Sequence, residues 1–373
     1  MLAEKELLGG LTPEHFLREY WQKKPLLVRG AIPGFRGLIE RAALLRMTDR
    51  EDVTSRLVRQ TANGWSLSHG PFRRRDFPSL QGGQPWTVLV QELNHHLPEA
   101  DALLQQFAFL PHARLDDLMV SYAVPGGGVG PHFDSYDVFL LQGPGNRRWQ
   151  ISSQTDLELM PGLPLRILKH FQAEQEWVLA PGDMLYLPPS FAHHGIAEGG
   201  ECMTYSIGFR APTTQEIATQ FLIYLQDRLD LPGIHTDPDL QPTEHPGEIP
   251  ATMLTRLMDM IGQIRWDRQM MTDFIGRYLT EPKAHVYFEP PEPALPPGRF
   301  AAQLARSGIH LAPASRLLFQ QDIFYLNGEP VSLQGQQALL TELADQRRLT
   351  PRRLKGTALD WLYDRYAEGF LVL

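Results

Sequence analysis

Cysteine is almost absent from this chain: Cys202 is the only one in 373 residues. That excludes a disulfide framework and leads us to expect a reducing, cytoplasmic setting, with Cys202 itself a small buried hydrophobe in a strand. Long apolar runs are also missing. None approaches the roughly 20 residues that a membrane-spanning helix needs, so no membrane partner is expected. The opening stretch, MLAEKELLGGLTPEHF, has acids and no apolar core, so no signal peptide is expected either. A surplus of positive charge is the third absence. Lys and Arg number 35 against 43 Asp and Glu, a formal net charge of −8. A protein that holds nucleic acid by neutralising phosphates is expected to be basic, so no strong nucleic-acid binding is expected. Small molecules and basic proteins are the favoured partners.

What is present is the composition of a globular protein, 43% hydrophobic and 21% charged, at a length that calls for two or three domains. Residues 1–50 read as helices, with TPEHFLREYWQKKP carrying a Thr cap and Pro at the first helical position. From about residue 53 the texture changes to short runs between turn residues: SRLVRQ, GWSLSHG, LMVSYAV, DVFLLQ, RRWQIS, EWVLA, DMLYLP and CMTYSIGF. Residues 84–111 read as a helical insert among them. Many short strands with Gly/Pro turns indicate a sandwich or barrel. Helical spacing returns over 213–280, a Pro-rich link follows at 288–298, and DIFYLNGEPVSL then predicts a hairpin turning at Asn327-Gly328.

The chemistry concentrates in GPHFDSYDVFLLQGPGNRRWQ, residues 130–150. His-x-Asp alone says little, since a second copy, His235 and Asp237, sits in a Pro-rich loop. At 132 the surroundings are β-rich, so His132, Asp134 and Tyr136 are expected on one face. An inward imidazole and carboxylate are costly unless paired or ligated. Two His and one carboxylate form the set that suits non-haem Fe(II) oxygenases. A third ligand is offered by APGDMLYLPPSFAHHG, where a Pro pair stops a strand just before His193 and His194, and residue types alone leave open which of the two ligates. In RRWQIS the two-residue period turns Arg147 inward with Trp149 and Arg148 out to solvent. An inward arginine beside a metal needs an anion, and a dicarboxylate cosubstrate would meet it through a bidentate contact. The alternative is an internal salt bridge to Asp134 or another acid. The run PGGGVG lacks the ending of a phosphate loop and reads as a flexible turn that lets a substrate backbone approach.

With those residues in view, VSYAVPGGGVGPHFDSYDVFLLQGPGNRRWQ and PGDMLYLPPSFAHHG resemble the JmjC-type 2-oxoglutarate oxygenases, and more narrowly the bacterial ribosomal oxygenases. SRLVRQTANGWSLSHGPF and YSIGFRAPT extend the likeness, which takes in nearly the whole chain. The resemblance implies an α+β chain: a double-stranded β-helix (cupin/JmjC jelly roll) with N-terminal helices at 1–211, a helical dimerisation domain at 212–284 and a winged-helix-like domain at 285–373. It implies Fe(II) held by His132, Asp134 and His193, with 2-oxoglutarate and dioxygen as cosubstrates. His193 is preferred because it follows Phe191-Ala192. Arg147 falls on the residue that binds the distal carboxylate of 2-oxoglutarate, with Ser121 assisting. The implied partners are a second copy of the chain and a basic protein of the large ribosomal subunit, hydroxylated at an arginine β-carbon. Asp116, Asp117 and Asp137 are candidate receivers of that guanidinium. Lysine demethylation, or hydroxylation of another basic protein, would use the same iron chemistry. A scaffold without chemistry would rest on the basic cluster DQRRLTPRRLKG, which reads as a solvated helix end, and a zinc cupin would leave Arg147 unexplained.

Overall fold

The computed structural model describes residues 4–61, 64–79 and 83–373. The chain divides into two compact units. The first comprises Met1–Ala211, Lys283–Ser315 and Asp345–Leu373, and the second Pro212–Pro282 and Arg316–Ala344.

The first unit is built on two antiparallel sheets. Its strands are β1 (Leu26–Val28), β2 (Ser55–Thr61), β3 (Gly64–His69), β4 (Trp86–Val90), β5 (Leu115–Ala123) and β6 (His132–Phe133). They continue with β7 (Val138–Gln142), β8 (Asn146–Ser152), β9 (Gln175–Leu179), β10 (Met184–Leu187), β11 (Ala192–Glu198) and β12 (Cys202–Phe209). The larger sheet runs β1-β10-β7-β12-β5-β4-β2-β3 and the smaller β6-β11-β8-β9. This is the double-stranded β-helix.

Both faces of the larger sheet are covered, which is why β4, β7 and β12 are buried at every position. On its outer face Leu118, Val120, Tyr122, Phe139 and Tyr205 join Phe16, Leu44, Leu103 and Phe107 from the helices. On the inner face Val138, Leu140 and Leu185 pack against Trp149, Ile151 and Leu179 of the smaller sheet. The inner layer is mostly apolar, so the polar side chains that remain in it stand out.

The helix Pro13–Glu19 starts where expected, with Thr12 Oγ1 accepting from the His15 amide at 3.2 Å. Two helical expectations give way to strands. Leu26–Val28 pairs with β10, and Trp86–Val90 lies between β5 and β2. The segment Trp-Thr-Val-Leu-Val is rich in β-branched and aromatic residues and buried throughout, so a doubly covered strand takes it, and helix begins only at Leu93. At that corner Glu92 adopts φ 54° with its carboxylate buried. Burial alone would raise its pKa, yet ion pairs to Lys283 at 2.8 Å and His285 at 2.6 Å hold it at about 2. The basic stretch 345–356 is not all solvated: the Arg347 guanidinium donates to the carbonyls of Ala312, Pro313 and Ser315, and is partly buried.

The second unit holds helices Thr214–Gln226, Ala251–Ile261 and Arg268–Thr280. Its three-stranded sheet, Leu317–Gln320, Ile323–Leu326 and Glu329–Pro330, turns at Asn327 (φ 50°) and Gly328 (φ 88°), the positive pair the hairpin signal predicts. Among the described residues no helix is long and apolar enough to cross a membrane.

Candidate active site

Antiparallel pairing of β6 with β11 sets His132 directly opposite His193, with ring centroids 4.2 Å apart. Each Nδ1 lies 2.9 Å from a carbonyl oxygen, that of Gly130 for His132 and that of Phe191 for His193. A carbonyl can only accept, so both Nδ1 atoms carry the proton and both Nε2 lone pairs are left for another partner. Asp134 follows on the turn after β6, whose position is tied by the Ser190 amide to the Asp134 carbonyl at 2.8 Å. Its Oδ2 is 3.6 Å from His193 Nε2. One donor atom from each of the three residues lies within 4.8 Å of the others, the donor set for one small cation. His193 is 2% exposed, and burial first, then His132 beside it, pushes its pKa down to about 4, so the ring is neutral as a metal ligand must be. His194 is outside the group: it pairs in register with Gln150 and its ring meets Phe171 edge-on. A second group among the described residues, Asp156, Glu158 and His170, lies exposed at the surface, with Glu158 paired to Lys169 and Asp156 to His170.

Across the barrel, Arg147 on β8 is 4% exposed while Arg148 pairs with Glu198 at 2.6 Å on the surface, the alternation that strand parity requires. Arg147 Nη1 donates to Ser121 Oγ at 2.8 Å and to Thr204 Oγ1 at 3.1 Å, and Thr204 donates on to Gln142. No carboxylate pairs with Arg147 among the described residues, so an internal salt bridge does not account for it. Burial lowers its pKa, opposed only by the Cys202 thiol and by no carboxylate, and its Nε has no hydrogen-bond partner. A buried, unneutralised guanidinium flanked by two hydroxyls is a cradle for an anion. Thr204 was not singled out from the sequence. Its parity in CMTYSIGF was readable, but its place opposite Ser121 comes from the β12–β5 register.

The three acids differ. Asp117 is partly exposed, and its Oδ2 accepts from the Glu92 amide at 2.9 Å. Burial, then Asp116 beside it, pushes its carboxyl up to about 6. Beside its Oδ1 stands Gly208, where a side chain would fill the gap to the Tyr136 ring. Asp116 is engaged by Lys283 at 3.2 Å and Arg210 at 3.9 Å. Asp137 is not available to a ligand. It is fully buried, with Oδ1 accepting from Tyr186 at 2.7 Å and Oδ2 from Gln22 at 2.9 Å and Arg114 at 3.1 Å, because it closes the barrel end against the N-terminal helices.

The glycine run is not a flexible turn. A Cβ at Gly127 would sit 2.5 Å from the Trp86 carbonyl oxygen and one at Gly128 closer still to that of Gly195, so these glycines let two backbones cross in contact.

Residues 102–217 match the JmjC domain family and residues 263–370 the ROXA-like winged helix. The chain is 35% identical over 348 residues to the ribosomal protein uL16 3-hydroxylase of Escherichia coli, covering 92% of this chain and 91% of that protein. It is 41% identical over 238 residues to a probable ribosomal oxygenase of Haemophilus influenzae, covering 63% of this chain and 56% of that one. The crystal structure of YcfD from Escherichia coli superposes with a TM-score of 0.84 at 32% identity, over 97% of this chain and 98% of that chain. A complex of that ribosomal oxygenase with cobalt and 2-oxoglutarate gives a TM-score of 0.80 over the same shares.

Proposed function

The chain belongs to the bacterial JmjC-type ribosomal oxygenases, enzymes dependent on Fe(II) and 2-oxoglutarate, and on that premise we propose that it hydroxylates an arginine side chain of ribosomal protein uL16 at the β-carbon. The observation that carries the oxygenase chemistry is the juxtaposition of a His132, Asp134 and His193 donor set with an acid-free Arg147 cradle inside one barrel. The substrate rests on the name of the Escherichia coli relative and on the chemistry of the mouth.

His132 and His193, through Nε2, and Asp134 would hold the iron, and their donor set fits it: two imidazoles whose Nδ1 atoms are taken by backbone carbonyls and one carboxylate. When bound, Fe(II) with 2-oxoglutarate and dioxygen supplies the oxidising power to place a hydroxyl on an unactivated C–H bond, with succinate and carbon dioxide as the other products. Arg147 binds the distal carboxylate of 2-oxoglutarate, and Ser121 and Thr204 hold the guanidinium in place. The partly exposed Asp117 is the acid best placed to receive a substrate cation, since Asp116 already has two cationic neighbours and Asp137 is enclosed. The net charge of −8 favours encounter with a basic ribosomal protein. Intact-mass spectra of ribosomal proteins from cells with and without this gene test the proposal. uL16 alone is expected to lose the mass of one oxygen atom in the deletion. An unchanged profile would refute a ribosomal substrate and redirect the search to other basic proteins.

The protein also acts as a homodimer in this proposal. Helix Ala251–Ile261 buries none of its residues in the single chain, yet exposes Leu254, Met258 and Ile261. An apolar stripe of that kind wants a partner surface, and a second copy supplies one. Light scattering at micromolar concentration is expected to give twice the chain mass, and Met258→Glu with Ile261→Glu to give the monomer. A monomeric wild type contradicts the assignment.

A further inference from the structure

One cation on the inner face of the larger sheet has no part in holding iron or 2-oxoglutarate. In the sheet register Arg56 of β2 stands beside Leu89 of β4, Leu89 beside Ser121 of β5, and Ser121 beside Thr204 of β12. Side chains opposite one another on neighbouring strands share a face. Arg56 therefore emerges on the face that carries the Ser121 and Thr204 hydroxyls, two strands nearer the sheet edge. Its side chain reaches Met119, with Nη2 3.9 Å from the Met119 sulfur, and Met119 lies on β5 between Ser121 and Asp117 on the same face. Arg56 is close enough to Tyr136 to act on it electrostatically.

The guanidinium is poorly satisfied there. A thioether is a weak acceptor, no carboxylate pairs with Arg56 among the described residues, and its Nε is shut off from solvent without a partner. The Arg147 Nε likewise has no partner, a condition shared among the described residues with the Nε atoms of Arg59, Arg114, Arg347 and Arg365. Arg147 and Arg56 differ in depth: Arg147 is enclosed, whereas Arg56 is partly exposed beside Met119, Tyr136 and Asp117.

Building on the protein-hydroxylase reading above, we propose that Arg56 is the specificity residue for the substrate polypeptide. Its guanidinium donates to a main-chain carbonyl oxygen of the substrate beside the target residue, while Asp117 receives the target's own cation. A basic ribosomal segment carries few carboxylates but a carbonyl at every residue, so a carbonyl is the acceptor always on offer. The same positive charge repels a second cation at that place. Arg56 thus selects substrates whose residue on the β2 side of the target is not Lys or Arg.

The test uses the full chain loaded with Fe(II) and a peptide spanning the target arginine. Hydroxylation is read by mass spectrometry, succinate release gives the 2-oxoglutarate KM, and anisotropy of the labelled peptide reads binding without turnover. Arg56→Ala and Arg56→Met are expected to raise the peptide KM and Kd by roughly 10-fold or more, the value of one charge-assisted hydrogen bond, with kcat changed far less. Arg56→Met keeps the stem packed on Met119, so a folding defect in the alanine variant does not obscure the outcome. Arg56→Lys, which retains a donor, recovers part of the loss. A lysine walked through the flanking positions of the peptide is expected to weaken wild-type binding at one position and to be tolerated there by Arg56→Met. Wild-type peptide affinity in Arg56→Met overturns the proposal, and so does a rise confined to the 2-oxoglutarate KM. A wild type that binds the peptide in an Arg56-dependent way without modifying it supports Arg56 and refutes the hydroxylation reading. A wild type that does not bind refutes both.

Discussion

Replacing His132 or Asp134 by alanine is expected to end 2-oxoglutarate turnover, with succinate release falling on the order of 1,000-fold or more while the thermal unfolding midpoint stays near that of the wild type. Loss of a supporting hydrogen bond at a metal site costs roughly 10–100-fold, and loss of one of only three protein ligands must exceed that. The fold should survive because both side chains are only partly buried and neither belongs to the apolar clusters. Metal content measured alongside activity gives a second readout, since each variant should bind less than one Fe(II) per chain. His193→Ala belongs with this pair, whereas His194→Ala should cost no more than a few-fold, because His194 stands outside the donor group. Full activity in the His132 and Asp134 variants would end the metal assignment. A more damaging His194→Ala than His193→Ala would show that the wrong histidine has been chosen.

Arg147→Ala should weaken 2-oxoglutarate binding by roughly 100- to 1,000-fold, read as the KM for 2-oxoglutarate or directly by calorimetry. Two charge-assisted hydrogen bonds in a site closed to water are worth about 3–4 kcal/mol together. Arg148→Ala, which removes a half-exposed ion pair with Glu198, should change binding less than about threefold. Arg147→Lys keeps the charge but not the fork that matches a carboxylate, and should recover only part of the affinity. Equal losses at 147 and 148 would sink the parity argument. Thr204→Val is the finer check: it removes one of the two hydroxyls that hold the guanidinium and should raise the 2-oxoglutarate KM with no change in metal content.

The local chemistry of strands explains why so much of the site was legible. A two-residue period separates Arg147 from Arg148 without any knowledge of the partner strand, and the structure shows one enclosed and the other paired at the surface. The β-runs between turn residues became strands for the same reason, as did the Asn327-Gly328 hairpin, whose two residues tolerate positive φ. The reading failed where a residue's environment depends on what covers it. Trp86–Val90 suggests helix in the sequence because a strand buried on both faces loses the alternation that marks strands.

The sequence by itself therefore determined the residue types, the strand periodicity and the sidedness of each arginine, because these depend on neighbours in the chain. Tertiary structure decided everything that depends on pairing between distant segments. It set His132 opposite His193, placed Thr204 beside Ser121, enclosed Asp137 among Gln22, Arg114 and Tyr186, and left Asp117 partly exposed. It also made the glycine run, which reads in sequence as a flexible turn, a crossing of two backbones, since only the fold brings Gly195 against Gly128. Cross-strand register and the desolvation that goes with enclosure are properties of the assembled sheets, and no local stretch of sequence contains them.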